Sequence, residues 1–394
     1  MQRSIYCYAW DLAEDGVEAA VRRFGECGLN TAALAASYHA GKFLRPHGRD
    51  GKVYFPEDGT IYFRTAGSRF GEIKPVANSL LQERDVLQEL CDNGALKVNA
   101  WLVLLHNSRL GQAYPHATVS NAFGDRYIYS LCPSSPPVRE YAVALCASIA
   151  EEYPIAGLRL ETPGFLPFAH GYHHEFGLVR PNEWLHRLLG LCFCQHCIEG
   201  ARDAGIDADG LRGRVASSIE TYLASDVDYP DDMAEAFWLA DVVLDIDLVA
   251  FLRWRCDVVT SLVEAIRAAV LAKVDVAIIP SVARPSGGAW YEGSDLAALA
   301  GAADGVEVCF YEHGADRVAA DLLDVQRRIG NDGRIGAILR PGYPDLTERA
   351  MVAAAVATLA GGGIHDIGFY NYGHLRASAL DWIAGAFSST EKRP

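Results

Sequence analysis

Two carboxylates are the residues of this sequence best suited to acid–base chemistry. Glu161 ends the apolar run IAGLRLE, and Glu312 ends the run VEVCFYE. Carboxylates at the ends of two buried strands can supply the proton donor and the nucleophile or base that hydrolysis of a glycosidic bond requires. Glu292 and Asp295 are alternatives to Glu312, although Asp295 is better placed to cap the helix that follows it.

Arg159 lies two residues before Glu161. Because side chains alternate along a strand, Gly157, Arg159 and Glu161 should share one face. A guanidinium close to Glu161 would keep that carboxylate ionised. The pattern therefore predicts that Glu161 acts as nucleophile or base and that Glu312 acts as the acid. A structural salt bridge at the rim of the fold is the alternative interpretation of Arg159.

A cysteine cluster surrounds this stretch of the sequence. CFCQHC holds three thiols, and a fourth precedes Glu161 in the motif LCPSSP. Three closely spaced thiols and a distant fourth are typical of a tetrahedral structural zinc site. The predicted ligands are Cys132, Cys192, Cys194 and Cys197. Inert buried cysteines are the alternative, and His186 or His196 could replace one of the thiols.

Eight strand-then-helix units should position these residues. Apolar strands that alternate with amphipathic helices predict an α/β fold, a parallel (β/α)8 TIM barrel formed by one domain over residues 1–394. A doubly wound sheet is the alternative, but no GxGxxG motif follows an early strand. The predicted strands span residues 4–11, 31–39, 98–106, 155–161, 274–281, 306–312, 335–340 and 366–372.

Two long segments interrupt this alternation. The first, residues 42–79, contains VYFPEDGTIYF, which is predicted to form a hairpin that turns at Asp58-Gly59. The second, residues 162–271, is predicted to be a mostly helical insertion after strand 4 that includes the zinc loop. The last helix of this insertion, over residues 245–271, has apolar residues at helical spacing and should pack on the barrel wall.

The predicted strand ends carry polar and aromatic side chains. Active sites of TIM barrels lie at the carboxyl ends of the strands. Aromatic rings stack on the apolar faces of sugars while polar neighbours bind the hydroxyl groups. We therefore predict a small saccharide or glycoside as the substrate. The predicted substrate-binding residues are Asp11, His39, Trp101, His106, Arg159, Arg284, Tyr311, Arg340, Tyr370 and Tyr372.

Charge and hydropathy restrict the partners that we expect. The net charge of -15 disfavours binding to nucleic acid and to anionic membranes. The amino-terminal residues lack the apolar core of a secretory signal, and no apolar run is long enough to span a bilayer. We therefore expect a cytoplasmic protein with reduced thiols. Assembly into a homo-oligomer stays open.

The segment LCPSSPPVREYAVALCASIAEEYPIAGLRLET, followed by CFCQHC, resembles the zinc-bearing β-galactosidases of glycoside hydrolase family forty-two and related glycoside hydrolase barrels. That family has a Cys-Pro-x-Ser-Pro turn before a helix, a strand that ends in glutamate, and then Cys-x-Cys-x-x-Cys. The resemblance implies a structural zinc bound by Cys132, Cys192, Cys194 and Cys197.

The sequence departs from that family at the reacting groups. The galactosidases have Asn-Glu as the acid/base at the end of strand four, where this chain has Leu160-Glu161, and their nucleophile ends strand seven, where this chain has Arg340-Pro341-Gly342. The galactosidase mechanism therefore does not carry over. Gly-Leu-Arg-Leu-Glu is also similar to the Gly-x-Arg-x-Asp strand of α-glycosidases such as the α-amylases, in which the carboxylate is the nucleophile.

Two other functions fit the same residues. A metal-dependent TIM-barrel hydrolase or isomerase would hold a catalytic ion with His39, His106 and Glu161, and with Asp11 as a further ligand. A non-catalytic saccharide-binding barrel would use the same aromatic side chains without turnover.

Overall fold

The eight barrel strands are nearly continuous apolar runs, as strands covered by helices must be. In the computed structural model, which describes residues 1–172, 177–281, 284–330 and 333–390 and side chains as far as Phe387, all eight strands are parallel and follow one another in chain order. The last strand pairs with the first, so the sheet closes and the predicted TIM barrel is confirmed. The strands are β1 (Arg3–Tyr8), β2 (Thr31–Tyr38), β3 (Lys97–Val103), β4 (Gly157–Glu161), β5 (Asp275–Ile279), β6 (Gly305–Cys309), β7 (Ile335–Leu339) and β8 (Ile367–Phe369).

Helices cover the outside of this barrel. Neighbours in the outer layer pack in chain order, and the long helix before β5 packs on both the preceding and the following barrel helix, as predicted for residues 245–271. The described helices are α1 (Ala9–Asp15), α2 (Val17–Glu26), α3 (Val86–Asn93), α4 (Ser108–Ala113), α5 (Pro136–Glu152), α6 (Glu183–Leu189), α7 (Gln195–Asp203), α8 (Ala208–Leu223), α9 (Asp231–Leu244), α10 (Ile246–Ala269), α11 (Leu296–Ala302), α12 (Ala315–Ile329), α13 (Arg349–Gly361) and α14 (Ala377–Thr390). No helix within these ranges is long and apolar enough to cross a membrane.

Seven of the eight barrel strands end earlier than the sequence predicts, and β1, β3, β6 and β8 do so by three residues. β1 ends at Tyr8 and the chain turns directly into α1, so Asp11 lies on a helix. β6 ends at Cys309 and β8 at Phe369. The apolar runs continue beyond the last hydrogen-bonded pairs, and hydrophobic pattern alone does not mark where pairing stops. Glu312 and Tyr372 consequently lie in segments after their strands.

The predicted hairpin around Asp58-Gly59 is wrong. Val53–Tyr54 pairs antiparallel with Phe43–Leu44, whereas Thr60–Ile61 pairs antiparallel with the end of β2 and parallel with Val76–Ala77. β2 extends beyond its neighbours and offers free backbone groups that Thr60–Ile61 can use. The two aromatic runs therefore bind different partners instead of each other.

Candidate active site

Glu161 is the terminal residue of β4 and lies in the mouth of the barrel. Its carboxyl oxygen Oε2 accepts a hydrogen bond of 2.6 Å from the indole Nε1 of Trp101 on β3. Burial raises the pKa of Glu161 to about 7, and the Trp101 bond opposes that rise. A carboxyl group with this pKa is substantially protonated at neutral pH, as a general acid must be.

The structure corrects the prediction that Arg159 keeps Glu161 ionised and binds substrate. The Arg159 side chain is buried inside the barrel, where its Nε contacts Glu307. Its Nη1 lies 2.9 Å from Asp275 at the start of β5, and its Nη2 lies 3.1 Å from Gln2, before β1. The alternation of side chains correctly predicted an inward direction, but the long side chain extends toward the amino ends of the strands, away from the mouth.

An aromatic wall forms one side of the mouth, after β1, β2 and β8. The Tyr8 hydroxyl lies 3.0 Å from that of Tyr38, 2.9 Å from that of Tyr370 and 3.2 Å from Nε2 of His374. Burial raises the pKa of each of these three tyrosines, so they remain neutral hydrogen-bonding groups. The Trp101 ring contacts Tyr8, Tyr38 and Tyr370 at centroid distances of 5.7, 5.1 and 5.9 Å. Tyr8, Tyr38 and Trp101 are buried, whereas Tyr370 is half-buried, so the wall offers the Tyr370 ring to a ligand.

The opposite side of the mouth, after β5 to β7, is cationic. The guanidinium carbons of Arg284 and Arg340 each lie 4.7 Å from the ring centroid of Tyr311. The Tyr311 ring is 5.8 Å from that of Tyr370, and the charge on Glu161 contributes to the raised pKa of Tyr311. Arg284, Tyr311, Arg340 and Tyr370 are therefore brought together beside Glu161, and their predicted role in substrate binding stays a prediction.

Three histidines lie at the β2–β3 edge of the mouth. The His39 ring stacks on His106 at 4.1 Å and on Tyr38 at 4.4 Å, and His170 lies 5.8 Å from His106. Within the described ranges, four cysteines are the only group that brings three or more potential metal ligands within 4.8 Å of one another. The geometry therefore gives the predicted catalytic ion at His39, His106 and Glu161 no support.

Glu312 is buried beneath the loop after β6. Its Oε2 lies 2.5 Å from Nε of Arg317 on α12, and its charge contributes to the raised pKa of Asp321 on the same helix. Tyr311, the preceding residue, interacts with Glu161 instead. The described contacts of Glu312 thus lie toward the helix layer.

The two alternatives to Glu312 have distinct roles. Asp295 accepts hydrogen bonds of 2.9 and 3.1 Å from the backbone N–H groups of Ala297 and Ala298, which confirms that it caps α11. Glu292 is buried, and its Oε1 accepts a hydrogen bond of 2.5 Å from the Ser281 hydroxyl.

Two predicted substrate-binding residues have structural partners instead. The Asp11 carboxylate lies 2.7 Å from Nε of Arg45, and Glu14 lies 2.5 Å from Nη2 of the same arginine. The Tyr372 hydroxyl donates a hydrogen bond of 2.5 Å to Asp15. Asp11 therefore anchors the segment after β2, and Tyr372 ties β8 to α1, because both side chains point behind the rim of the barrel.

Sequence reasoning missed four residues of the mouth. Tyr8 was hidden because the first strand was extended to Asp11, although inward alternation with Tyr6 points to it. Phe43 stacks 5.5 Å from Tyr8, and the charge of Glu161 contributes to the raised pKa of the Cys309 thiol. Neither Phe43 nor His374 lies in a strand pattern that would have identified it.

The four cysteines converge at one buried point. The Sγ atom of Cys132 lies 3.5 Å from that of Cys197, 3.9 Å from that of Cys192 and 3.6 Å from that of Cys194. Four sulfurs at about 2.3 Å from a tetrahedral zinc lie about 3.8 Å apart. The donor set and its spacing therefore fit a structural zinc with no position left for a substrate.

The cysteine cluster connects the insertion to the wall of the mouth. Phe193, between two of the cysteines, donates a backbone hydrogen bond of 2.6 Å to Ser120. Ser120 belongs to a small hairpin, Thr118–Ser120 and Arg126–Leu131, which bonds back to the segment after β3 through Leu131 and Leu105 at 2.9 Å. That segment carries His106. The cluster thus holds in place the element that supports the histidine edge.

Solved structures of the same architecture resemble the whole chain. The catalytic domain of β-amylase from Paenibacillus polymyxa has a TM-score of 0.58 and 13% identity over 100% of this chain and 99% of that chain. The β-galactosidase from the psychrophilic Marinomonas ef1 has a TM-score of 0.60 and 11% identity over 99% and 60% of the two chains. The α-L-fucosidase isoenzyme 2 from Paenibacillus thiaminolyticus has a TM-score of 0.55 and 13% identity over 99% of this chain. This chain spans 49% of that fucosidase.

These similarities show a shared barrel fold. No protein-family model matches the sequence, and no curated protein matches it. The resemblance to the family forty-two β-galactosidases, which depends on the cysteine motif and the strand before it, is therefore not confirmed.

Proposed function

We propose that the protein is a glycoside hydrolase that acts on a small saccharide or glycoside. One observation carries the proposal: a carboxyl group with a pKa of about 7 ends a barrel strand in a mouth lined by tyrosine and tryptophan side chains. The names of the three similar structures, an amylase, a galactosidase and a fucosidase, are consistent with it. Within the aromatic wall, the half-buried Tyr370 would stack on the sugar, and Tyr8, Tyr38 and Trp101 would support it from behind.

In this proposal Glu161 donates a proton to the leaving glycosidic oxygen. This reverses the role expected from the sequence, because Glu161 is protonated more readily than an ordinary glutamate. The proposed second carboxylate is Glu312, which forms an ion pair with Arg317 and would have to turn from the helix layer toward the mouth to act as base or nucleophile. Glu292 is the alternative, since its backbone carbonyl accepts a hydrogen bond of 2.9 Å from Phe165 in the loop that follows Glu161.

The cysteine cluster is proposed to hold one structural zinc through Cys132, Cys192, Cys194 and Cys197. The sulfur separations and the burial of all four residues support this assignment. A zinc with four thiolate ligands stabilises a fold and takes no part in bond cleavage. In this protein it would fix the start of α7 to the hairpin beside His106.

A panel of 4-nitrophenyl glycosides tests the function. The panel should contain both anomers of the glucoside, galactoside, fucoside, N-acetylglucosaminide and glucuronide. We expect release of 4-nitrophenol from at least one member, measured by absorbance, and slower release by a Glu161→Gln variant. Binding of a sugar by calorimetry without release from any member would contradict the hydrolase and favour a saccharide-binding barrel.

The Trp101–Glu161 hydrogen bond makes a prediction about pH. Trp101→Phe removes the N–H that favours the ionised carboxylate, so the pKa of Glu161 should rise further above about 7. Because an acid catalyst is active while protonated, the alkaline limb of kcat/KM should move upward by about one pH unit. Trp10→Phe is the matched control: Trp10 stacks on Tyr8 at 4.3 Å, and its indole N–H has no hydrogen-bond partner among the described residues. If the alkaline limb of the kcat/KM profile of Trp101→Phe stays in place or moves to lower pH, the Trp101–Glu161 hydrogen bond does not stabilise the ionised carboxylate.

A further inference from the structure

The cationic side of the mouth has a specific arrangement. Arg284, Tyr311 and Arg340 follow β5, β6 and β7, which are neighbours in the sheet, and Glu161 ends the adjacent strand, β4. The guanidinium carbons of Arg284 and Arg340 each lie 4.7 Å from the centroid of the same Tyr311 ring. Both cations therefore lie against one ring of the mouth.

The two arginines are unequally neutralised. Nε of Arg340 lies 2.5 Å from Asp345. Arg284 is exposed, and its Nη1 reaches the backbone carbonyl of Tyr311 at 3.4 Å; within the parts of the chain that the structure describes, no carboxylate forms an ion pair with it. Asp345 also lies 3.9 Å from Nδ1 of His313. Among the described residues, the mouth thus presents one cation without an ion-pair partner in a protein whose net charge is -15.

The ring of Tyr311 lies between the aromatic wall and the arginine pair, Arg284 and Arg340. Trp101, which bonds Glu161, is 5.9 Å from Tyr370, and Tyr370 is 5.8 Å from Tyr311. A sugar whose ring lies on the half-buried Tyr370 would direct a ring substituent toward Tyr311 and the two guanidinium groups. A neutral hydroxymethyl group would leave Arg284 without an anion.

We propose that the substrate is a glycoside of a uronic acid whose carboxylate binds to Arg284, beside Arg340. The planar fork of an arginine matches a carboxylate in a bidentate pair, and such charge-assisted bonds are stronger than neutral ones. This inference rests on the proposed glycoside hydrolase function and adds the class of sugar. The aromatic wall binds the ring, Glu161 serves the glycosidic oxygen, and the arginine pair selects the acidic sugar.

Matched substrates and variants test this selectivity. The substrates are 4-nitrophenyl glucuronide and glucoside, and 4-nitrophenyl galacturonide and galactoside, in both anomers, with the methyl ester of each uronide as a neutral analogue. We expect one uronide to exceed its hexoside and its methyl ester in kcat/KM by roughly 10- to 100-fold. Arg284→Ala should remove that ratio, and Arg284→Lys should keep part of it. The matched control is Arg327→Ala, which removes one exposed positive charge in the last turn of α12, and it should keep the full ratio.

Binding separates the two proposals. Glucuronate and galacturonate, with glucose and galactose as neutral references, are titrated calorimetrically into Glu161→Gln and into Glu161→Gln/Arg284→Ala. Binding of a uronate by the first protein and its loss from the second supports the inference even if no glycoside is cleaved. Cleavage of a neutral hexoside with no preference for the uronide, or a preference that survives Arg284→Ala, overturns the inference and leaves the hydrolase intact. Absence of both cleavage and binding overturns both.

Discussion

Glu161→Gln is expected to lower kcat/KM by roughly 10²- to 10⁴-fold, the range that a general acid contributes. Glutamine has nearly the same shape as glutamate, and its amide oxygen can still accept the 2.6 Å hydrogen bond from Trp101. It has no proton to donate to a leaving oxygen. The melting temperature should stay the same or rise slightly, because a buried ionisable group is removed. Initial rates and a thermal melt on the same preparation measure both effects.

The leaving group distinguishes the two possible roles of Glu161. An acid is needed most when the leaving alcohol is poor, so the loss in Glu161→Gln should be small for a 2,4-dinitrophenyl glycoside and large for a methylumbelliferyl glycoside. A nucleophile variant would lose both equally. Glu312→Gln and Glu292→Gln are the companion variants, and the one that carries the second carboxylate should lose activity on both substrates. Full activity of Glu161→Gln on the poorer leaving group would remove Glu161 from the mechanism.

Cys194→Ser is expected to release the metal and to lower the melting temperature by roughly 5–10 °C, because a structural zinc contributes directly to folding energy. Metal analysis of the unaltered protein should find about one zinc per chain, and the variant should retain little. The loss of stability should affect the insertion and the hairpin formed by Thr118–Ser120 and Arg126–Leu131. The barrel strands, including the one that carries Glu161, should remain folded. Some catalytic activity should therefore persist at low temperature.

Cys146→Ser is the control for this experiment. Cys146 is buried on α5 and lies outside the four-cysteine group. Its replacement should cost some packing energy and leave the metal content unchanged. A Cys194→Ser protein that keeps its full metal content would refute the ligand assignment, whatever its melting temperature.

The parts of the fold that the sequence predicts are those governed by hydrophobic pattern. Eight apolar runs separated by amphipathic segments predict the closed parallel sheet, and a run that stops at a carboxylate predicts the place of Glu161. The cysteine spacing predicts a cluster that the structure brings within 4.8 Å. These features are encoded locally or by a simple repeat, so each can be derived from a short stretch of the chain.

The sequence predictions that were wrong concern side-chain directions and strand pairs that depend on residues distant in the sequence. The Arg159 side chain does face the barrel interior. Its guanidinium group lies toward the amino ends of the strands, because it binds Asp275 and Glu307, which are distant in the sequence. Asp11 is bound by Arg45 from the long segment after β2. Val53–Tyr54 pairs with Phe43–Leu44 because Thr60–Ile61 pairs with β2. The local sequence does not predict these ion pairs and strand pairs, because each depends on which distant residues the closed barrel brings close together.

The segment after β2 affects which glycosidic bonds of a saccharide chain the proposed enzyme can cleave. Phe43 stacks on Tyr8 and on Trp10, and Asp11 and Glu14 hold Arg45 in place. Tyr8, Trp10 and Tyr38 are buried under this cover, whereas Arg284 is exposed and Glu161 and Tyr311 are half-buried, so the more exposed groups of the mouth lie on the arginine side. A long polysaccharide lying across the barrel would have to displace the covering segment. A chain terminus entering from the arginine side would not, which favours exo-acting removal of single terminal sugars over internal cleavage.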